Sequence, residues 1–340
     1  MKDKLKRRLI RHSFFTNLMF AFYRFKNGKT VQSESERRKS ISLFDYKALS
    51  ADIPFGPEER VIDNNLYGYA HHIKKYAGIK TDLKGYLEHG LFWGGMVHPD
   101  ERFWHFTRII TFSENRKKDI ERHLPSKTAV PVGPYIHYAE ELFTADERAK
   151  LKADLGKTML VFPSHSVRNL EAQFDFEKFI EEINHVKKDF DTVLVSLYFI
   201  DALNPAKVKI YTDQGYRIVT SGHKFDHNFV ARQKTIIGLA DYTMGNEVGT
   251  HIGYCIHLNK PHYLFKQEMK RVSKSIEEIK RHERLFNSEE QRLLHEQHSE
   301  VARMFSEYKT EISAEQRALV DKYWGTSSVK TPAQLRELLG

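Results

Sequence analysis

From residue 144 to residue 265 the chain alternates short apolar runs with amphipathic stretches. That alternation restricts the fold more than any other feature. Thr144 and Glu147 have capping-box spacing and open a helix to about Leu155. Residues 158–162 read as a strand buried on both faces, 174–188 as an amphipathic helix, and 192–198 as the next strand. A helix over 205–214 ends at Gly215, and residues 217–220 form a strand. A helix over 226–239, a strand over 241–244, a helix over 249–258 and a strand over 262–265 complete the series. Five strands separated by helices need crossover connections, so the class is α/β with a doubly wound parallel sheet.

The first half is less regular. Residues 85–88, 109–112 and 127–131 read as strands, with Ser113 capping a helix through His123. Pro131-Val132-Gly133-Pro134 can continue neither a helix nor a central strand, and it marks the boundary between two α/β domains, 33–134 and 135–312. Residues 27–60 are polar and irregular and read as a linker with short elements. Beyond Lys266 the pattern is helical and charged. Ser288 with Gln291 and Ser313 with Gln316 start helices, and Thr331-Pro332 starts a last one over 333–339, giving a helical extension at 313–340.

The net charge of +9 on 340 residues is unevenly placed. Residues 1–29 carry nine bases against Asp3 alone, a net of +8, which leaves +1 on the rest. A near-neutral body argues against a nucleic-acid partner, which would select a basic patch on the folded domain. Residues 1–32 form a basic amphipathic segment. Its apolar stretch from Phe14 to Tyr23 is too short to span a bilayer and lacks a small-residue cleavage site. Two readings fit it: contact of residues 1–29 with an anionic inner-membrane surface, or packing on the protein's own core. Cys255 is the single cysteine, so no intramolecular disulfide and no cysteine zinc site can form, which fits a cytoplasmic protein.

In an open parallel sheet, ligands bind beyond the carboxyl ends of the strands. The segments found there are Ser164-His165-Ser166 with Arg168, Gly222-His223-Lys224, Asn246-Glu247 with Gly249-Thr250, and His89-Gly90. Gly249-Thr250 opens a helix whose free N–H groups and positive dipole end suit a phosphate. Arg168, His223 and Lys224 could add charge, and Glu247 could bond ribose hydroxyls or simply favour the helix end. His89, followed by glycines at 90, 94 and 95, is the candidate general base. Metal signals are weak. Asp189-Phe190-Asp191 precedes its strand, on the side away from any ligand, and His71-His72 has no partner at zinc spacing. No P-loop, G-x-G-x-x-G or G-x-S-x-G motif occurs.

Four stretches carry a family resemblance: Glu88-His89-Gly90-Leu91-Phe92; Ile110-Thr111-Phe112-Ser113 with Pro131-Val132-Gly133; Pro163-Ser164-His165-Ser166; and Glu247 to Pro261. Over roughly residues 80–265 the chain resembles bacterial GT-B-type glycosyltransferases of capsule and lipopolysaccharide synthesis, with a looser likeness to glycerophosphotransferases and nucleotide-sugar 2-epimerases. The resemblance implies two Rossmann-like domains facing across a cleft, an acceptor-side first domain and a second domain that binds a nucleotide-sugar donor. It implies metal-independent transfer with no cofactor beyond the donor. His89 would be the base, and the helix after Glu247 would touch the donor phosphates. The acceptor would be a lipid-linked or oligosaccharide glycan. The paired glutamates of many retaining members are lacking, which favours an inverting outcome. An isomerase of the 2-epimerase kind, or a non-catalytic glycan- or nucleotide-binding protein, is the alternative.

Overall fold

The structure is a computed structural model describing residues 13–94, 106–167, 170–273 and 288–340. The chain enters through α1 (Ser13–Lys39), a 27-residue helix, followed by α2 (Tyr46–Ser50) and α3 (Tyr69–Ala77). The expected linker over 27–60 is therefore corrected in its first third, which is helix through Lys39. The reason lies in the face α1 buries. Thr16, Phe20, Val31, Ser35 and Arg38 are buried, and three of these five are polar, which hides the apolar period.

Arg38 shows how that polar face is held. Its guanidinium donates to the carbonyls of Leu49 and Ala51 at 2.7 and 2.9 Å and pairs with Glu34 at 2.9 Å. Arg232, fully buried, pairs with Asp226 at 2.9 Å and donates to the Arg38 carbonyl at 3.2 Å. Asn228 donates to the Ser35 carbonyl at 2.5 Å. A buried guanidinium is tolerated where a carboxylate and backbone carbonyls take up its charge, as Asp226 and the Ser221 and Arg38 carbonyls do for Arg232. These bonds lock α1 onto the second half of the chain.

The first sheet is parallel, in order β1 (Tyr86–Leu87), β2 (Arg108–Thr111), β3 (Thr128–Pro131), with α4 (Glu114–His123) crossing between the last two. The second half then runs α5 (Ala145–Leu155), β4 (Thr158–Phe162), β5 (Glu171–Gln173), α6 (Phe176–Val186), β6 (Thr192–Ser196), α7 (Phe199–Ala202), α8 (Pro205–Thr212) and β7 (Arg217–Val219). It continues with α9 (Phe229–Leu239), β8 (Tyr242–Gly245), α10 (Thr250–His257), β9 (His262–Leu264) and β10 (Lys270–Val272). Three helices end the chain: α11 (Ser288–Phe305), α12 (Ala314–Trp324) and α13 (Pro332–Leu339).

The second sheet has five parallel strands in order β7-β6-β4-β8-β9. The first strand, β4, lies in the middle, and the chain winds outward to one side and then to the other. That is the Rossmann order, and it places a topological switch point between β4 and β8. Every residue of β4 is buried, as a strand covered on both faces must be. The capping boxes at Thr144 with Glu147 and Ser313 with Gln316 are both formed, and Thr331 forms a third with Gln334. Ser288 begins α11, but its side chain lies outside the described residues.

Two features depart from the expected pattern. Beyond Lys266 the chain is not helical at once, because β10 pairs antiparallel with β5. The helix expected from residue 226 begins at Phe229, since Asp226 turns inward to Arg232. One continuous apolar cluster joins both sheets, with Leu87, Ile110 and Phe112 from the first and Leu160, Leu194 and Leu264 from the second. Trp324 of α12 packs within it, its ring edge-on to Trp93 at 5.5 Å. No helix among the described residues is long and apolar enough to cross a membrane.

Candidate functional site

The switch point gathers four of the sequence candidates. The Ser164 amide donates to Asn246 Oδ1 at 2.7 Å, and its hydroxyl donates to Glu247 Oε2 at 2.5 Å. The loops after β4 and β8 are thereby tied together at the switch point. Arg271 of β10 donates to both oxygens of Glu247 at 2.8 Å and to the His165 carbonyl at 2.6 Å. Burial alone would raise the Glu247 carboxyl, but the Arg271 charge and the Ser164 hydroxyl outweigh it and hold the group below its usual range. Glu247 is therefore a fixed anion. The His165 side chain is exposed, its ring 4.8 Å from that of Tyr198.

A second acid, Asp201, is similarly committed. It accepts from the Ser166 amide at 2.7 Å and pairs with Lys207 at 2.8 Å. Lys207 also donates to the Ser166 hydroxyl at 2.7 Å. Sequence reasoning missed Arg271, Asp201 and Lys207. Arg271 lies 24 residues from Glu247, and Asp201 and Lys207 lie 35 and 41 residues from Ser166, so no local motif announces these contacts.

The loop after β1 reaches the same region from the other sheet. The Leu91 amide donates to Thr250 Oγ1 at 3.1 Å, so the His89-Gly90-Leu91 turn abuts the first turn of α10. His89 Nδ1 lies 3.3 Å from Asp63 Oδ2, and its ring stands edge-on to Phe92 at 5.2 Å. Tyr86 donates its hydroxyl to the same Asp63 oxygen. Asn64 next door fixes the register, accepting from the Leu87 amide at 2.8 Å and donating to the Gly85 carbonyl at 3.0 Å. The Asp63 carboxylate thus lies within ion-pair distance of the inner ring nitrogen of His89. Glu88 cannot serve there, because it is buried on Arg116 at 2.5 Å and on the Thr111 hydroxyl at 2.6 Å.

Gly249 caps α10 with an extended backbone and no side-chain cap. A Cβ there would come within 3.0 Å of the His251 ring, and one at Gly245 within 2.9 Å. Both glycines therefore make room for His251, whose imidazole stacks on Phe162 at 4.8 Å. Burial pushes His251 down to about 4, so the ring is neutral.

The third candidate loop lies elsewhere. Strand β7 is an edge strand, and the segment after it is covered by the N-terminal helices. The His223 amide donates to the Leu49 carbonyl at 3.0 Å, and its ring packs on Phe199 at 4.6 Å. Gly222 has φ of +95°, and a Cβ would come within 2.8 Å of Arg232. The Lys224 carbonyl accepts from the Tyr67 amide at 2.7 Å. Gly222, His223 and Lys224 thus anchor the junction with residues 49–67. Arg168 lies outside the described residues.

His71 does have partners in space. Its Nδ1 lies 3.1 Å from Glu58 Oε2, and His227 Nδ1 lies 3.5 Å from Glu58 Oε1, with the two imidazoles stacked at 4.8 Å. Burial would raise Glu58, yet His71 and His227 bring it down to about 2. The ligand atoms lie within 4.8 Å of one another, close enough for a divalent ion, although Lys74 also faces Glu58 and opposes a further positive charge. His227 comes from a turn 156 residues beyond His71, which zinc spacing in the sequence cannot reveal. Asp189 and Asp191 sit at the amino end of β6, where they accept from the Tyr308 hydroxyl at 2.9 Å and the Lys157 amide at 2.7 Å.

No protein-family model matches the chain, and no curated protein matches it. Among solved structures, the S. aureus MnaA–UDP co-structure aligns over 79% of this chain and 78% of its own, at 11% identity and a TM-score of 0.37. A superposition that loose decides neither ligand nor reaction.

Proposed function

We propose that this chain is a glycosyltransferase that moves a sugar from a nucleotide-activated donor to a hydroxyl of a surface glycan. The observation that carries the reading is the Asp63–His89 pair beside the first turn of α10. His89 Nε2 takes the proton of the acceptor hydroxyl, and that oxygen attacks the anomeric carbon of the donor. The bond to the nucleotide breaks, and its phosphate leaves with the electron pair. Oriented N–H groups at the start of α10 oppose that developing charge. Ser164, Asn246 and Glu247 line the crevice where a Rossmann-type sheet receives a nucleotide.

The carboxylates of the crevice support transfer over isomerisation. Glu247 and Asp201 are each neutralised by a cation and a hydroxyl or amide, so neither is free to abstract a sugar proton. His89 is the base we assign to that role. The test begins with thermal shifts in UDP-, CMP-, GDP- and CDP-sugars. The donor that stabilises the chain is then incubated with a lipid-linked oligosaccharide, and nucleotide release is followed. His89→Ala should keep the thermal shift and lose the release. Conversion of the donor to its 2-epimer without acceptor would establish the isomerase instead. Failure of every nucleotide sugar to stabilise the chain would leave a non-catalytic glycan-binding protein.

A further inference from the structure

We infer that the outer face of α1 is a docking surface for an anionic phospholipid bilayer. Phe14, Phe15, Leu18, Phe22 and Phe25 are 70, 47, 59, 57 and 91% exposed. At 3.6 residues per turn they fall within an arc of about 100°. The opposite side of the helix carries Phe20, Val31, Ser35 and Arg38, all buried and bonded or packed to the body. Phe20 and Tyr23 pack on Phe55 at 5.6 and 5.7 Å. The helix therefore cannot roll to cover its aromatic stripe without breaking the Arg38 and Asn228 bonds. Large apolar side chains this exposed along one helix face are costly unless something covers them.

Charge identifies the occupant. No acid lies between residues 4 and 33, and residues 1–29 carry a net of +8. Lys26 and Lys29 are exposed beside the stripe. Aromatic side chains at the centre and lysines at the margin match an interfacial helix lying in the headgroup plane of an anionic leaflet. A second copy of the chain fits poorly, because a two-fold contact would set this basic segment against itself. Docked in this way, α1 would hold the body of the protein close to the membrane, whatever reaction the crevice performs.

The test uses the full chain and vesicles of phosphatidylcholine alone or mixed equally with phosphatidylglycerol. The wild type should float with the mixed vesicles only and be released by high salt. Leu18→Ser/Phe22→Ser/Phe25→Ser should lose roughly tenfold or more in partitioning with an unchanged melting temperature, since these side chains leave no cavity. Lys26→Gln/Lys29→Gln should lose about fivefold for each lysine. Equal flotation of wild type and triple variant would overturn the inference. So would a wild-type dimer, seen by light scattering, that the triple variant converts to monomer while vesicles recruit neither. Stabilisation by a nucleotide sugar should not respond to either variant, so the membrane result and the transferase reading stand or fall separately.

Discussion

Asp63 Oδ2 lies 3.3 Å from His89 Nδ1, and the two residues come from a 3-10 turn and a sheet-end loop that only the folded chain brings together. A carboxylate this close to a ring nitrogen steadies the orientation of the imidazole. Asp63→Asn keeps the shape and removes the negative charge. It should lower kcat by about tenfold to a hundredfold with little change in KM, while His89→Ala should cost about a hundredfold or more. Steady-state rates with the stabilising donor decide this. An Asp63→Asn enzyme with wild-type kcat would show that His89 needs no partner.

Arg271 reaches Glu247 from a strand that pairs only with β5. Arg271→Ala leaves the Glu247 carboxylate in a half-buried crevice with the Ser164 hydroxyl as its remaining partner. The expected loss is about 1–3 kcal/mol of stability, with the Glu247 pKa moving up. Glu247→Gln/Arg271→Ala should recover part of that loss, because the stranded charge is gone. Urea midpoints of the single and double variants test the coupling, and strict additivity would show that the pair does not interact.

Gly253 of α10 faces Trp324 so closely that a Cβ would lie 2.1 Å from the indole Cγ. Trp324 is fully buried and donates its indole N–H to the Thr250 carbonyl at 3.0 Å. Gly253→Ala would gain helix propensity, but the overlap is larger than a rotamer change can relieve. A loss of about 1–3 kcal/mol or more is expected from overpacking. Because α10 moves with the indole, donor binding should weaken too. An unchanged melting temperature would mean that α12 slides away freely.

What could be read from the sequence follows burial. Strands such as β4 and β8 lie wholly in the core, so their apolar runs were legible, as were the capping boxes at Thr144 and Ser313. The second half of helix α1 was not, because Ser35 and Arg38 face inward and break the apolar period. Strands β5 and β10 were missed because Glu171-Ala172-Gln173 and Lys270-Arg271-Val272 show mostly polar outer faces. A rule about sheet ends named Ser164 and Glu247, which the structure bonds to one another. The same rule named Gly222, His223 and Lys224, which follow β7 at the sheet edge and pack on residues 49–67, and strand order is not written in local pattern. Asp63 carries no local signal beyond its own side chain.

The buried histidines set an acid limit on stability. Burial pushes His72 down to about 3, and His223, His251, His257 and His298 down to about 4. In the unfolded chain a histidine titrates near 6.5. Between about pH 6.5 and 4 the unfolded state therefore binds protons that the folded state refuses, and stability falls as pH falls. Each such group contributes a slope of at most about 1.4 kcal/mol per pH unit in that window, and little above it. Glu58 acts lower, because a carboxylate held down to about 2 contributes stability above about pH 4.5 and loses it below. Urea midpoints at pH 8, 7, 6 and 5 should thus be flat at first and then drop steeply. His251→Gln should make the drop shallower by one group's share. A midpoint that is the same at pH 7 and pH 5 would mean that these imidazoles accept protons without leaving their places in the fold.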